Sequence, residues 1–303
     1  MIDEKIELIL RKERINDVRF LNKYFEKVNE SLKHGGIFKG NVETYSVRRN
    51  RILNKYPRPF NNIYLILDIF LVRISPKLKI TKKLYFNITK GKGRVLSKAE
   101  TYGRLYSCGF EFIEEEYKNN KVYFSFKKVK KPSYDMHPSY GFLIKLKRVG
   151  KHGKLISVYK FRTMSPYSEY LQEHVFQKNN LQKGGKLKDD FRISAEGRIL
   201  RKFWIDELPM IFNLLKGEMK LVGVRPLTKH YFSLYTKELQ VLRVKTKPGL
   251  IPPFYVDNPE TLEEIIASEI KYLKAYEERP YYTDFIYFFK SLHNIIIKRK
   301  RSS

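Results

Sequence analysis

The chain has 303 residues, with 61 lysines and arginines against 32 aspartates and glutamates, a formal net charge of +29. That length holds one large domain or two ordinary ones with a real core, and an aromatic content of 15% argues against a disordered basic tail. A field of this sign favours an anionic partner, and composition alone does not choose among nucleic acid, a membrane surface and a phosphorylated substrate.

In chain order, the charged opening Met1-Ile-Asp-Glu-Lys-Ile-Glu7 does not read as a signal peptide. Val18, Leu21, Phe25, Val28 and Leu32 recur at spacings of three and four, which predicts one face of a helix. Gly35-Gly36 is expected to end it, with a strand over 37–42. Ile63 to Val72 is apolar but interrupted by Asp68, and it falls short of the roughly 18 to 20 residues of a spanning helix. Ser97, with Glu100 three residues on, predicts an N-capped helix to about Ser107. Cys108 is the only cysteine, which excludes an intrachain disulfide and a cysteine zinc cluster. Phe110 to Ile113 and Val122 to Phe126 predict a hairpin about Asn119-Asn120. Leu32-Lys-His-Gly-Gly36, a following strand and the closing hairpin weakly resemble the C-terminal half of a class I methyltransferase fold. The sequence has no glycine-rich first strand and turn to hold S-adenosylmethionine, so the resemblance implies an accessory module rather than methyl transfer.

Two prolines frame the polar stretch Lys131-Pro-Ser-Tyr-Asp-Met-His-Pro138, which predicts a boundary between an accessory α/β domain over 1–131 and a second domain over 138–303. In the second domain Leu143 to Arg148 and Leu155 to Tyr159 read as strands joined by a turn at Gly150 to Gly153. Gln182 to Lys188 reads as a mobile loop, Leu208 to Lys216 as a helix stopped by Gly217, and Leu262 to Tyr276 as another helix. Phe285, Phe288, Phe289, Leu292, Ile295 and Ile296 form a helix-spaced stripe, and such stripes more often face a core than a membrane. Lys298-Arg-Lys-Arg301 follows, either a solvated tail or a headgroup anchor in which each basic residue adds about 1 kcal/mol near an anionic leaflet.

The chemistry concentrates between Arg198 and Pro226, where Asp206-Glu207 opens a short apolar helix and Gly223-Val-Arg-Pro226 makes a turn. Taken alone, Asp206 reads as an N-cap contributing about 1 kcal/mol, with Pro209 tolerated in the first turn. Neighbouring helical side chains diverge, so one of the two carboxylates can attack while the other holds a metal. Lys160 and Arg162 alternate with Phe161 and would share one face of an extended segment, aimed into a phosphate site or into solvent. Arg198 and Arg201 are helix neighbours that either assist or are surface charge. The Arg225 guanidinium has the fork that matches phosphate oxygens.

These motifs carry a resemblance. Lys147-Arg-Val-Gly-Lys-His-Gly-Lys154, Val158-Tyr-Lys-Phe-Arg-Thr-Met164, Asp206-Glu-Leu-Pro209, Asn213, Leu215-Lys-Gly217, Leu221-Val-Gly-Val-Arg-Pro226 and Lys247-Pro-Gly249 follow one another as in the bacterial sugar transferases. Those are monotopic phosphoglycosyl transferases that begin glycan assembly on polyprenyl phosphate, and the likeness runs over roughly residues 138 to 300. It implies a mixed α/β fold with a helix-rich catalytic domain. It also implies that Asp206 is the nucleophile, that Glu207 is a Mg²⁺ ligand, and that Lys160, Arg162, Arg201 and Arg225 bind substrate phosphate. The donor is then a UDP-sugar, the acceptor polyprenyl phosphate, and the place the cytoplasmic face of a bacterial inner membrane, with an anionic surface as partner. Nucleic acid drops behind as a partner, and a homo-oligomer stays open. Val224 replaces the family's proline and Met210 its glutamine, which leaves Met210 a packing role. The place of the family's re-entrant hydrophobic helix is taken by the basic, strand-like run Lys121 to Lys131. Two alternatives follow from that departure: a catalytically inactive module binding nucleic acid or lipid, and a transferase with a soluble acceptor.

Overall fold

The computed structural model describes residues 6–134, 140–178 and 190–296. The fold is mixed α/β, as expected, and the described residues fall into two compact units. The first takes 6–134, 140–141, 164–177 and 191–194; the second takes 142–163, 178, 190 and 195–296. The residues 164–177 and 191–194 follow the proline-framed stretch in sequence yet pack within the first unit. Their reason is local: Tyr167 and Leu171 are buried, and Gly103 lacks the Cβ that would sit 2.2 Å from the Tyr167 carbonyl oxygen.

The first unit is built from β1 (Ile6–Arg14), α1 (Leu21–Ser31), β2 (Leu32–Val42), α2 (Tyr45–Lys55), α3 (Phe60–Ile69), α4 (Lys79–Thr89), α5 (Lys98–Ser107), β3 (Phe110–Lys118) and β4 (Lys121–Lys128). The strands form one sheet in the order β1-β2-β4-β3, with β1 parallel to β2 and the other pairs antiparallel. Phe25, Phe38, Phe110, Phe126, Tyr102 and Leu105 fill the core between the sheet and helices α1 and α5. Ser97 caps α5 as expected, its Oγ accepting from the Glu100 N–H at 2.9 Å. The hairpin turns at Asn119 and Asn120 with φ of 50° and 55°, the left-handed pair that a two-residue turn requires. The basic run from Lys121 is a core strand; even Lys128 is buried, its Nζ donating to the Leu32 carbonyl at 2.7 Å.

Helix α1 ends earlier than its glycines suggest. It stops at Ser31, Val18 lies outside it, and Gly35-Gly36 sits inside β2. Between the pairs Ile6–Leu32 and Leu8–Ile37, β2 advances five residues while β1 advances two, so the glycines form a bulge. Gly35 has φ of 82°, and a Cβ on Gly36 would lie 3.1 Å from the Glu7 carbonyl. Val28 and Leu32 fit a helix spacing equally well, which is why periodicity overran the boundary.

The second unit contains β5 (Leu143–Val149), β6 (Leu155–Phe161), α7 (Ala195–Lys202), a 3-10 helix (Ile205–Met210), α8 (Ile211–Leu215), β7 (Lys220–Val222) and β8 (Gly249–Ile251). Helices α9 (Lys229–Ser233), α10 (Lys237–Lys245), α11 (Phe254–Asp257), α12 (Leu262–Glu278) and α13 (Pro280–Ile296) complete it; α6 (Gln172–Lys178) belongs to the first unit but for its last residue. Strands β5 and β6 form an antiparallel ribbon, and β7 pairs in parallel with β8. Val222, Leu239, Tyr272, Leu273 and Tyr287 make its main core. Thr261 and Glu264 close a capping box at the start of α12.

The stripe on α13 is split: Phe288 packs against the main core, but much of the rest faces outward. Its buried face is Thr283, Tyr287, Ser291 and Asn294, while Phe285, Phe289 and Leu292 are exposed. The polar buried side is held by bonds that sequence spacing does not reveal, such as Thr283 Oγ1 to the Ala275 carbonyl (2.9 Å) and Asn294 Nδ2 to the Tyr255 carbonyl (2.9 Å). The expected basic anchor at 298–301 and the expected loop at 182–188 lie outside the described residues. Among the described residues no helix is long and apolar enough to cross a membrane.

Candidate active site

Strand β6 supplies the site's floor. Its Tyr159 N–H donates to Asn213 Oδ1 at 3.0 Å, and Asn213 Nδ2 donates to the Ser157 carbonyl at 2.8 Å. One fully buried amide on α8 thus grips both backbone polarities of β6, and Nδ2 also reaches Glu218 Oε2 at 2.6 Å. Val158, Met210 and Met219 pack beside this clamp, which gives Met210 the packing role assigned to it. The clamp fixes the register between β6 and the segment carrying the two carboxylates.

Asp206 is not the cap that its sequence position suggests. It lies in the first turn of the 3-10 helix, behind Trp204, whose φ of 53° turns the chain into that helix. Asp206 is 9% exposed. Burial raises its pKa from the ordinary 3.8; Lys160 and Arg201 pull it back, and the neighbouring Glu207 adds to the rise. Glu207 faces the cations directly: its Oε1 accepts from Lys160 Nζ at 2.6 Å, with Arg225 Nη2 at 4.0 Å. The two adjacent carboxylates therefore divide, one buried and one ion-paired.

Arg201 is positioned from below. Gly197 lets α7 press on the strand end, since a Cβ there would lie 2.0 Å from the Thr163 carbonyl oxygen. One turn on, Arg201 Nε donates to Thr163 Oγ1 at 2.9 Å. Arg198, on the same helix, is exposed. Arg162 stands two residues past Lys160, just beyond β6, its backbone N–H donating to the Phe142 carbonyl at 2.6 Å.

The turn carrying Arg225 is held from behind. Gly223 and Gly249 approach so closely that a Cβ on Gly249 would stand 2.1 Å from the Gly223 nitrogen. The Gly223 N–H donates to the Ile251 carbonyl (3.1 Å) and the Gly249 N–H to the Val224 carbonyl (2.9 Å). Val224, the departure from the family's proline, is a buried core residue. Arg243, itself buried, donates to the Arg225 carbonyl and pairs with buried Glu269. Burial raises the Glu269 pKa, with Arg243 opposing. Arg148 brings another cation near: its pKa is lowered by burial and by the Arg225 charge.

Asn213, Thr163, Arg148 and the Arg243–Glu269 pair carry no functional role in a reading of the sequence. Asn213 had a usable signal, a lone amide in the apolar run Leu208 to Leu215. Arg243 and Glu269 had none, because they lie on α10 and α12, 26 residues apart.

The arrangement sets a buried carboxylate and a second, ion-paired one beside Lys160, Arg201 and Arg225, cations of the kind that suit phosphate oxygens. Mg²⁺ is bound in such sites through one or two carboxylates together with substrate phosphate oxygens. A single carboxylate, that of Glu207, fits that donor set. Large apolar side chains are exposed on α7, α8 and the segment between them, namely Ile199, Phe203, Leu208, Phe212 and Leu215, with Arg198, Lys202 and Lys216 exposed among them.

Known proteins resemble this sequence. The model of the family described as bacterial sugar transferase matches residues 136–298. The sugar transferase EpsL of Bacillus subtilis is 44% identical over 103 residues, 34% of this chain and 45% of that protein. The undecaprenyl-phosphate galactose phosphotransferase of Salmonella typhimurium is 41% identical over 108 residues, 34% of this chain and 22% of that protein. The exopolysaccharide production protein ExoY of Rhizobium meliloti is 28% identical over 160 residues, 50% of this chain and 69% of that protein. The chain thus spans less than half the length of the first two relatives. The family match covers more than half of its residues, so the chain belongs to the bacterial sugar transferase family.

Proposed function

We propose that the protein is a phosphoglycosyl transferase that moves a sugar 1-phosphate from a UDP-sugar to polyprenyl phosphate, the first membrane-linked step of a surface glycan such as exopolysaccharide or O-antigen. The observation that carries this reading is the division of the Asp206-Glu207 pair: a buried, cation-flanked carboxylate beside one that is ion-paired to Lys160. Family membership and the name of the Salmonella relative support the reaction class.

In this mechanism an oxygen of ionised Asp206 attacks the sugar-bearing phosphorus of the donor. The bond from that phosphorus to the bridging oxygen breaks, and UMP leaves with the electron pair. An oxygen of polyprenyl phosphate then attacks the phosphosugar-aspartyl intermediate, forming the diphosphate and returning Asp206 as a carboxylate. Lys160, Arg162, Arg201 and Arg225 bind phosphate oxygens and offset the repulsion between anionic nucleophile and anionic donor. Mg²⁺, when bound, would be held by Glu207 and the donor's diphosphate and would neutralise charge developing there. The exposed apolar residues around Asp206 and the outward Phe285, Phe289 and Leu292 suit a peripheral or monotopic position on an anionic bilayer, at its cytoplasmic face.

The test is to hold wild type with donor in the absence of acceptor and look for a sugar-phosphate adduct by mass spectrometry. An adduct on the Asp206 peptide, discharged by adding polyprenyl phosphate, is the expected result. Turnover with no adduct on Asp206 at any time would overturn the covalent route.

A further inference from the structure

The first unit contains a cavity of about 630 Å³ that the proposed reaction does not use. Its chemistry is lopsided. Arg19, Lys23, Lys82, Arg94 and Arg104 line it, and Glu100 is its one acidic side chain among the described residues. Glu100 is taken by Arg104, through contacts of 2.7 and 3.2 Å to the same oxygen. Arg94 is half-buried, and burial lowers its pKa; its Nη1 donates to the Arg19 carbonyl oxygen at 3.1 Å. Several cations gathered about one already neutralised carboxylate call for an anion with multiple acceptor oxygens.

Part of the lining is apolar. Val72, Pro76 and Phe86 come from the segment that spans the end of α3, the following turns and α4. The outer face of this same segment is bare: Ile66 is 66% exposed, Ile80 92%, Leu84 63% and Ile88 71%. Its one internal acid is silenced, since Asp68 accepts from Arg48 at 2.6 and 2.9 Å. Lys82 and Lys83 stand exposed among these apolar residues, as at a headgroup boundary. A soluble phosphate ester explains the cations but not the bare apolar face beside them.

We infer that this cavity binds the phosphate headgroup of an anionic lipid, with the outer face of α3 and α4 lying against the lipid's hydrocarbon. This site is separate from the reading of Asp206 and goes beyond it: it would anchor the first unit at a membrane whether or not the transfer chemistry is as proposed.

The experiment uses the full chain and calorimetric titration with three probes: monomeric short-chain phosphatidic acid, phosphatidylcholine of the same chain length, and inorganic phosphate. The expected order is phosphatidic acid well ahead of both others, with Arg94→Gln weakening it at least tenfold. Lys82→Glu, at an exposed position, is the second variant should Arg94→Gln fold poorly, and the same weakening is expected. Equal binding of the choline lipid would reduce the surface to non-specific apolar contact and overturn the site. Inorganic phosphate binding as tightly would make it a free-phosphate site and overturn the lipid. Unchanged affinity in both variants would remove the cavity from the account. No arm depends on turnover at Asp206.

Discussion

Lys160 Nζ donates to Glu207 Oε1 at 2.6 Å, joining β6 to the 3-10 helix across 47 residues of sequence. If Glu207 holds Mg²⁺ as proposed, Lys160 and the metal compete for the same carboxylate oxygen. Glu207→Gln keeps the shape and removes the charge. Its turnover should fall about a hundredfold or more, the scale of losing one charge-stabilising group, and its Mg²⁺ requirement should move to higher concentration. Initial rates across a magnesium series check both; an unaltered magnesium curve would remove Glu207 as a ligand.

Asp206 carries a pH signature of definite sign. Its folded pKa is raised by burial, so the folded state holds the proton more tightly than the unfolded chain. Its contribution to stability is present below the ordinary value of 3.8 and is lost as pH rises through the raised one. Asp206→Asn should therefore be at least as stable as wild type at pH 7, with the advantage shrinking in acid. Urea midpoints at neutral and mildly acid pH measure this. Catalysis needs the ionised form, so wild-type rate should fall on acidification at a pH above 3.8.

The Arg243–Glu269 pair supports the Arg225 turn without touching substrate. Glu269→Ala leaves a buried guanidinium unpaired and should cost roughly 3–5 kcal/mol. Thermal melting reads that loss. At a temperature where the variant remains folded, the donor KM should rise more than kcat falls, because Arg243, no longer fixed by Glu269, holds the Arg225 carbonyl less firmly. A variant with normal KM would confine the pair to stability.

Asn213→Ala removes a clamp rather than a cavity wall. It strands the Tyr159 N–H and the Ser157 carbonyl, at about 1–3 kcal/mol for each group left unsatisfied. Activity should drop further than melting predicts, since the released strand carries Lys160. Asn213→Asp, which can still accept from Tyr159, should recover part of the loss.

Motif order singles out Lys160, Asp206, Glu207 and Arg225, and these lie together in one unit although they are spread over 66 positions. Strong local signals also held, among them the Ser97 cap and the Asn119-Asn120 turn, because neighbouring atoms decide them. What escaped is non-local. The bulge at Gly35-Gly36 depends on β1 lying alongside. The outward turn of Phe285 and Phe289 on α13 depends on polar anchors from α11 and α12. Trp204 in a left-handed conformation moved Asp206 from cap to first turn, a shift that propensity does not encode.

UMP release tests the central claim most directly. Wild type and Asp206→Asn would be compared over a panel of UDP-sugars with Mg²⁺, with and without undecaprenyl phosphate. The account predicts release by wild type from at least one donor, dependent on the lipid phosphate, and none from the variant. Full release by Asp206→Asn, or release indifferent to the lipid, would contradict it.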